Sequence, residues 1–208
     1  MIVSWVSGNK HLAQNWSGCW VIMELYSVLL RSKSILANVF ISSFESGTFI
    51  YRNLSPDNDD FEEYLSWMRN RENVFVESIR SDISRDELCE FVVEKNSSLN
   101  ALLIGVFDRK YNQHIANVKF EPIDFDLSNA WMGILLGSPS MRGKGFSSEI
   151  IDSSCAFLRE TYGIRDIFLG VDSNNTPALK AYKRCNFKEI GLHEKGGVVM
   201  VRRGGKSP

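Results

Sequence analysis

Histidine and cysteine are scarce in this chain of 208 residues, which holds three of the first and four of the second. Cys19, Cys89, Cys155 and Cys185 never fall at CxxC or other metal-ligand spacing, and His11, His114 and His193 are just as scattered. That distribution argues against a zinc site, and no metal is expected. Cysteines without a pairing pattern fit a reducing compartment, so the expected location is cytoplasmic. Cys155 and Cys185 fall on expected helix faces and read as small buried hydrophobes. An excess of one charge is also missing. Lys and Arg number 24 against 25 Asp and Glu, a formal net charge of -1. No overall field exists to hold a polyanion, and no nucleic-acid partner is expected. Long apolar runs are absent too. The most apolar stretch, residues 19–30, is too short to span a bilayer and is interrupted by Glu24. It has no basic stretch before it and no small-residue cleavage site after it, so neither a membrane span nor a secretory signal is expected. It reads as a helix packed on the protein surface.

What remains is the composition of an ordinary globular protein, 44% apolar and 24% charged. Residues 1–45 follow no clean period, and Glu24 is the one acidic residue before Glu45. They are taken as an N-terminal extension of uncertain structure, with residues 46–208 as the domain. Residues 48–53 are rich in β-branched and aromatic side chains and predict a strand. Phe61, Leu65 and Met68 recur at helical spacing over residues 60–69. A second helix opens at Ser84, where Ser84 and Glu87 make the S-x-x-E pattern of a capping box, with Phe91 and Val92 as its apolar face. Strands are expected at 101–107, 115–120 and 131–136, joined by connections at 108–114 and 121–129. After a loop at 137–145 comes a long helix over 146–162. Its apolar stripe is Phe146, Ile150, Ile151, Cys155, Leu158 and Tyr162, and Gly163 stops it. Ile167, Leu169 and Val171 alternate as a strand. A short helix follows, with Pro177 in its first turn and Asn186 at its left-handed end. Residues 187–192 and 198–202 then pair around Gly196 and Gly197. Strands with interspersed helices on one sheet give a mixed α/β domain.

The loop before the long helix carries the chemistry. Its glycines allow close backbone approach to a ligand. The helix N-terminus beyond it offers unpaired N–H groups and the positive end of a dipole, an anion site. Arg142 and Lys144 add positive charge. The ligand implied is a phosphate or diphosphate; the bland alternative is a glycine-rich turn with two solvated cations. Neither a Walker loop nor G-x-G-x-x-G is present.

Arg142, Gly145 and Ser147 resemble motif A of the GNAT superfamily, [QR]-x-x-G-x-[GA], with Ser147 in place of the final small residue and Pro139 where many members carry proline. Asn175, Ala178, Tyr182 and Phe187 resemble the downstream signature N-x-x-A-x-x-x-Y-x-x-x-G-F, with Asn186 replacing its glycine. The stretch from His114 to Phe187 resembles the RimJ/RimL branch, the ribosomal-protein-alanine acetyltransferases and their relatives. It also resembles branch members associated with amino-sugar acylation. The likeness covers roughly residues 46–205. It implies a GNAT fold, a mixed and mostly antiparallel central sheet flanked by helices with two splayed central strands. It implies acetyl-CoA as acetyl donor, with the coenzyme A diphosphate gripped by Arg142, Gly143, Lys144, Gly145, Phe146 and Ser147. Backbone groups at Leu135 and Leu136 are implied to bind the pantetheine arm.

The resemblance further implies direct transfer of acetyl from the thioester to a primary amine. That amine must be neutral, and deprotonating a lysine-like amine of pKa ~10.4 at pH 7 costs roughly 4.6 kcal/mol. The departing thiolate, of pKa about 8.5 by analogy with cysteine, needs a proton. Tyr182 is the candidate acid, a phenol that stays protonated at neutral pH; otherwise it packs on the sheet. Asn175 would bind pantetheine or an active-site water, or cap the short helix. The general base is not identified. Asp124 and Asp126 could reach the acceptor or be solvated loop acids, and His114 could titrate or be structural. Trp131 could stack on a sugar or peptide, or belong to the core. The acceptor is expected to be a small amine such as an amino sugar, with a protein N-terminus as the alternative. A non-catalytic acyl-CoA sensor is the reading from another class. A homodimer is left open.

Overall fold

A computed structural model describes residues 41, 43–57, 61–70, 82–137, 143–192 and 196–204. The expected surface helix over 19–30, most of the N-terminal extension, and Pro139 and Arg142 of the loop lie outside them.

The sheet starts with a hairpin, β1 (Phe44–Ser46) and β2 (Phe49–Arg52), turned at Gly47 with φ of +54°. Ile41, just before it, is buried in the main core. The hairpin therefore straddles the composition change near residue 45. Next come β3 (Leu102–Asp108), β4 (His114–Asp124), β5 (Asn129–Leu136), β6 (Asp166–Asp172), β7 (Lys188–Leu192) and β8 (Gly197–Arg202). The order across the sheet is β1-β2-β3-β4-β5-β6-β8-β7. Every neighbouring pair is antiparallel except β5 and β6, which run parallel. Parallel neighbours need a crossover, and the helix α3 (Phe146–Tyr162) supplies it.

Helices α1 (Phe61–Arg69) and α2 (Arg85–Ser97) cover one face, packing on Leu103, Phe107 and Leu135 of the sheet. On the other face α3 and α4 (Thr176–Arg184) bury Ile150, Ile151, Cys155, Leu158, Ala178 and Tyr182 against Met132, Ile134, Ile167 and Leu169. Arg202 of β8 ties this face to α3 through Asp152, 2.6 Å away. The parallel strand alternates as its sequence requires, with Ile167, Leu169 and Val171 all buried.

Three expectations need correction. β4 does not stop at residue 120. It passes through an irregularity between Phe120 and Ile123 and pairs with β5 as far as Asp124↔Asn129. Pro122 looks like a strand ending in sequence, but the bulged register leaves its missing donor harmless. On α2 the buried face is Leu88 and Val92, whereas Phe91 is half-buried and lies on the rim, where Lys95 sits 5.5 Å over its ring. β1 was not anticipated at all.

The capping box at Ser84 forms in full. Ser84 Oγ accepts from the Glu87 N–H at 3.1 Å, and Glu87 Oε2 accepts from the Ser84 N–H at 2.7 Å. Two otherwise orphan donors are satisfied at once. Ser84→Ala is expected to lower stability by about 1 kcal/mol. A urea titration checks this: the midpoint should fall with an unchanged slope, and an unmoved midpoint contradicts it.

Candidate active site

β5 and β6 pair only through Asn129↔Asp166, Ala130↔Ile167 and Trp131↔Phe168. Beyond Trp131 the two strands part, although each runs on, β5 to Leu136 and β6 to Asp172. β4 holds β5 along its other edge, and β8 holds β6 along its other edge. The result is a V in the middle of a sheet whose inner edges, residues 132–136 and 169–172, have no facing strand among the described residues. Backbone donors and acceptors there are available to a ligand in extended conformation. Leu135 and Leu136 lie on the β5 limb with side chains buried on opposite faces, Leu135 beneath the α1 and α2 layer and Leu136 toward α3.

The β5 limb leads into the loop and then α3. Gly143 and Gly145 have φ of +75° and +83°, and a Cβ at either would meet nothing within 4 Å. Their requirement for glycine is thus conformational and not steric. Gly145 is the N-cap of α3 and supplies no side-chain hydrogen bond. Among the described residues no side chain caps the first-turn N–H groups at Phe146 and Ser147, on a helix of 17 residues with its full dipole. Glu149, the acid of that turn, points away and accepts the Thr48 N–H at 2.7 Å in the β1–β2 turn. The Phe146 ring packs edge-on against Phe49 at 5.3 Å, so only its backbone faces the loop. Lys144 is exposed. This donor set fits an anion of diphosphate type. Arg142 lies outside the described residues.

From the other limb, β6 leads into α4. Asn175 is its N-cap, with Oδ1 accepting from the Ala178 N–H at 3.3 Å and its own N–H donating to Asp172 O at 2.9 Å. The capping role is therefore filled. Its Nδ2 is buried and has no hydrogen-bond partner among the described residues, a cost of about 1–3 kcal/mol that a ligand carbonyl or a water would relieve. Tyr182, two turns along α4, is fully buried, with its ring 5.7 Å from Phe187. Asn186 follows in the left-handed region with φ of 63°.

The candidate bases fare differently. Asp124 closes the β4–β5 turn, where its Oδ1 accepts from the Leu127 N–H at 2.8 Å. Asp126 is exposed in the same turn. Both sit at the closed end of the V, which opens away from them. His114 is buried. Its Nε2 lies 2.8 Å from Asn117 Oδ1 and 3.2 Å from Ala116 O, so Nε2 carries the proton and donates to both. The ring is enclosed by Phe107, Trp67 and Tyr64 at 4.8, 4.7 and 5.8 Å. It is a structural histidine. Burial pushes the Cys155 thiol up to about 12 and the Cys185 thiol up to about 11. Neither is poised to act as a nucleophile. Among the described residues no group of three or more His, Cys, Asp and Glu is arranged to hold a metal, and no helix is long and apolar enough to cross a membrane.

Sequence reasoning missed the lid over the β5 limb. Tyr64 and Trp67 of α1 are both buried, and the Trp67 ring lies against Gly137, where β5 ends. The available signal was the i, i+3 spacing of these aromatics beside Phe61, Leu65 and Met68, which widens the apolar stripe of α1.

The fold recurs in solved structures. The ribosomal-protein-S5-alanine acetyltransferase from Vibrio fischeri is 18% identical with a TM-score of 0.68, over 81% of this chain and 100% of that one. Spermidine N-acetyltransferase from Vibrio cholerae, solved with CoA and spermine, is 23% identical with a TM-score of 0.64, over 75% and 94%. A ribosomal L7/L12 alpha-N-protein acetyltransferase in complex with coenzyme A is 15% identical with a TM-score of 0.68, over 76% and 96%. No curated protein matches the sequence. The family model described as an acetyltransferase (GNAT) domain matches residues 49–188. With the V between β5 and β6 as its structural counterpart, that match establishes that the chain belongs to the GNAT acetyltransferase family.

Proposed function

We propose that the chain transfers acetyl from acetyl-CoA to a primary amine on a small molecule such as an amino sugar, with residues 46–208 as the catalytic domain. The observation that carries this reading is the V. It is a gap with free backbone edges between one strand leading to an uncapped helix N-terminus and one leading to Asn175 and Tyr182. Acetyl-CoA supplies an activated acyl group as a thioester. The N–H groups around Gly143, Lys144, Gly145, Phe146 and Ser147, together with Arg142, hold its diphosphate. Leu135 and Leu136 offer backbone groups to the pantetheine arm, and Asn175 Nδ2 donates to the arm or to a water beside it. The acceptor nitrogen attacks as the neutral amine, the C–N bond forms, and the C–S bond breaks. Tyr182 gives its Oη proton to the leaving sulfur. No described carboxylate is placed as a dedicated base, so water carries the amine proton away.

The test is turnover followed by release of free thiol. Acetyl-CoA binding without thiol release for any amine would make the chain an acyl-CoA sensor instead. An acetyl mark appearing on protein N-termini after incubation with cell extract would favour the protein acceptor. For the diphosphate grip, Arg142→Ala is expected to weaken acetyl-CoA binding by about 1–3 kcal/mol, as for a lost hydrogen bond to a charged group. Calorimetry measures this directly, and an unchanged Kd removes Arg142 from the site.

A further inference from the structure

We propose, on the reading of the α3 N-terminus as the diphosphate grip, that the β1–β2 hairpin is a positioning element of the coenzyme A site and acts through Glu149. The turn at Gly47 and Thr48 holds this carboxylate off the first turn of α3, so that the end of the helix stays open to the diphosphate.

The hairpin lies along α3 and meets it once per turn. Phe49 packs edge-on against Phe146 at 5.3 Å. The Thr48 N–H donates to Glu149 Oε1 at 2.7 Å, and Ser153 Oγ donates to Ser46 Oγ at 2.8 Å. Phe44 stacks on Phe157 at 4.6 Å with planes 4° apart. Residues 146, 149, 153 and 157 are three or four apart and share one stripe of the helix. Their partners 49, 48, 46 and 44 run the opposite way along the hairpin, so the contacts form a ladder. The family match begins at residue 49, and Phe44, Ser46, Gly47 and Thr48 all lie outside it.

Glu149 differs from the other members of this ladder. Aromatic and hydroxyl pairs fasten a hairpin to a helix and do nothing more. An acid in the first turn is ordinarily drawn to the positive end of the helix. Helical side chains also tilt toward the N-terminus. Untethered, Glu149 would lean over the turn that offers the Phe146 and Ser147 N–H groups, and its charge would oppose a diphosphate there. Instead its carboxylate is turned onto a backbone N–H of another element.

Gly47 completes the device. Its φ of +54° favours glycine, and so does the space around it. A Cβ there would overlap Glu149 Oε1 and lie 2.9 Å from Glu149 Cδ. The three atoms nearest to that Cβ all belong to the Glu149 carboxylate. A side chain at position 47 therefore acts first on this group, the free end of a flexible chain, and pushes it off Thr48 before any backbone has to move.

The test is calorimetry of coenzyme A binding to the full chain at low ionic strength. Gly47→Ala should raise Kd about two- to fivefold, the range for one charge at a helix terminus. Gly47→Asn should do the same with less backbone strain, because Asn tolerates the left-handed region while its Cβ still displaces Glu149. Glu149→Gln keeps an acceptor for the Thr48 N–H and loses the charge, so it should bind at least as tightly as wild type. Combined with either change at Gly47, Glu149→Gln should abolish the rise in Kd. The rise should also shrink in high salt, as an electrostatic effect does. An equal rise in Kd with glutamate and with glutamine at position 149 overturns the proposal and leaves the hairpin a packing element. An unchanged Kd in both Gly47 variants also overturns it, as does weaker binding by Glu149→Gln alone, an arm that needs no change in the turn. Absence of coenzyme A binding in the wild type overturns the diphosphate reading itself.

Discussion

Tyr182→Phe is expected to lower kcat by roughly ten- to a thousand-fold, the range for one lost acid–base contributor, while KM for acetyl-CoA stays near wild type. The expectation follows from how the residue is built in. The ring is fully buried in the main core and packs at 5.7 Å against Phe187. Phenylalanine preserves that packing and removes only Oη, so the fold should survive. The leaving thiolate, with a conjugate-acid pKa near 8.5 by analogy with cysteine, then departs without a proton from the protein. An effect on kcat and on kcat/KM together identifies an interaction made in the transition state, whereas a rise in KM alone identifies ground-state binding. Wild-type turnover in the variant would remove Tyr182 from the chemistry and leave it a packing residue. Thermal midpoints of the two proteins, measured alongside, separate a chemical loss from an unstable fold.

Elements with their own local punctuation were legible in the sequence. Phe146–Tyr162 was read with both ends in place, because its stripe has a helical period and Gly163 closes it at φ of 69°. Asn175, Pro177 and Asn186 bracketed the next helix for the same reason. Elements that depend on distant partners were not legible. The three residues of β1 have no period of their own and become a strand only by pairing with β2. The end of β4 reads as a connection at Glu121-Pro122 until β5 is present to carry the register past it. The candidate site divides along the same line. Its glycine loop and the Asn175 and Tyr182 signature are local patterns. The V is a failure of two strands to pair, and no residue on either strand announces it. Trp131 shows the limit most clearly. A strand tryptophan is ordinarily core, and only the topology reveals that this one sits at the apex of the gap.

The contact between Trp67 and Gly137 joins residues 70 apart in sequence and predicts the second large effect. A Cβ at Gly137 would lie 1.8, 2.1 and 2.2 Å from atoms of the Trp67 ring system. That ring is a buried indole, wedged beside His114 at 4.7 Å and Tyr64 at 6.0 Å, with no free end to swing aside. Gly137→Ala must therefore displace α1 or the end of β5, an overpacking cost of about 1–3 kcal/mol or more. Either movement shifts the backbone that runs from Leu136 toward the loop proposed to hold the diphosphate, since the Gly137 N–H bonds Ile115 O at 3.1 Å and anchors that exit to β4. The expected result is a lower unfolding midpoint combined with weaker acetyl-CoA binding, from a methyl group that touches no ligand. Trp67→Leu in the same chain removes the obstacle, so the double variant should be more stable than the sum of the two single changes implies. Additive losses in that cycle would show that the glycine is needed for some reason other than the indole against it.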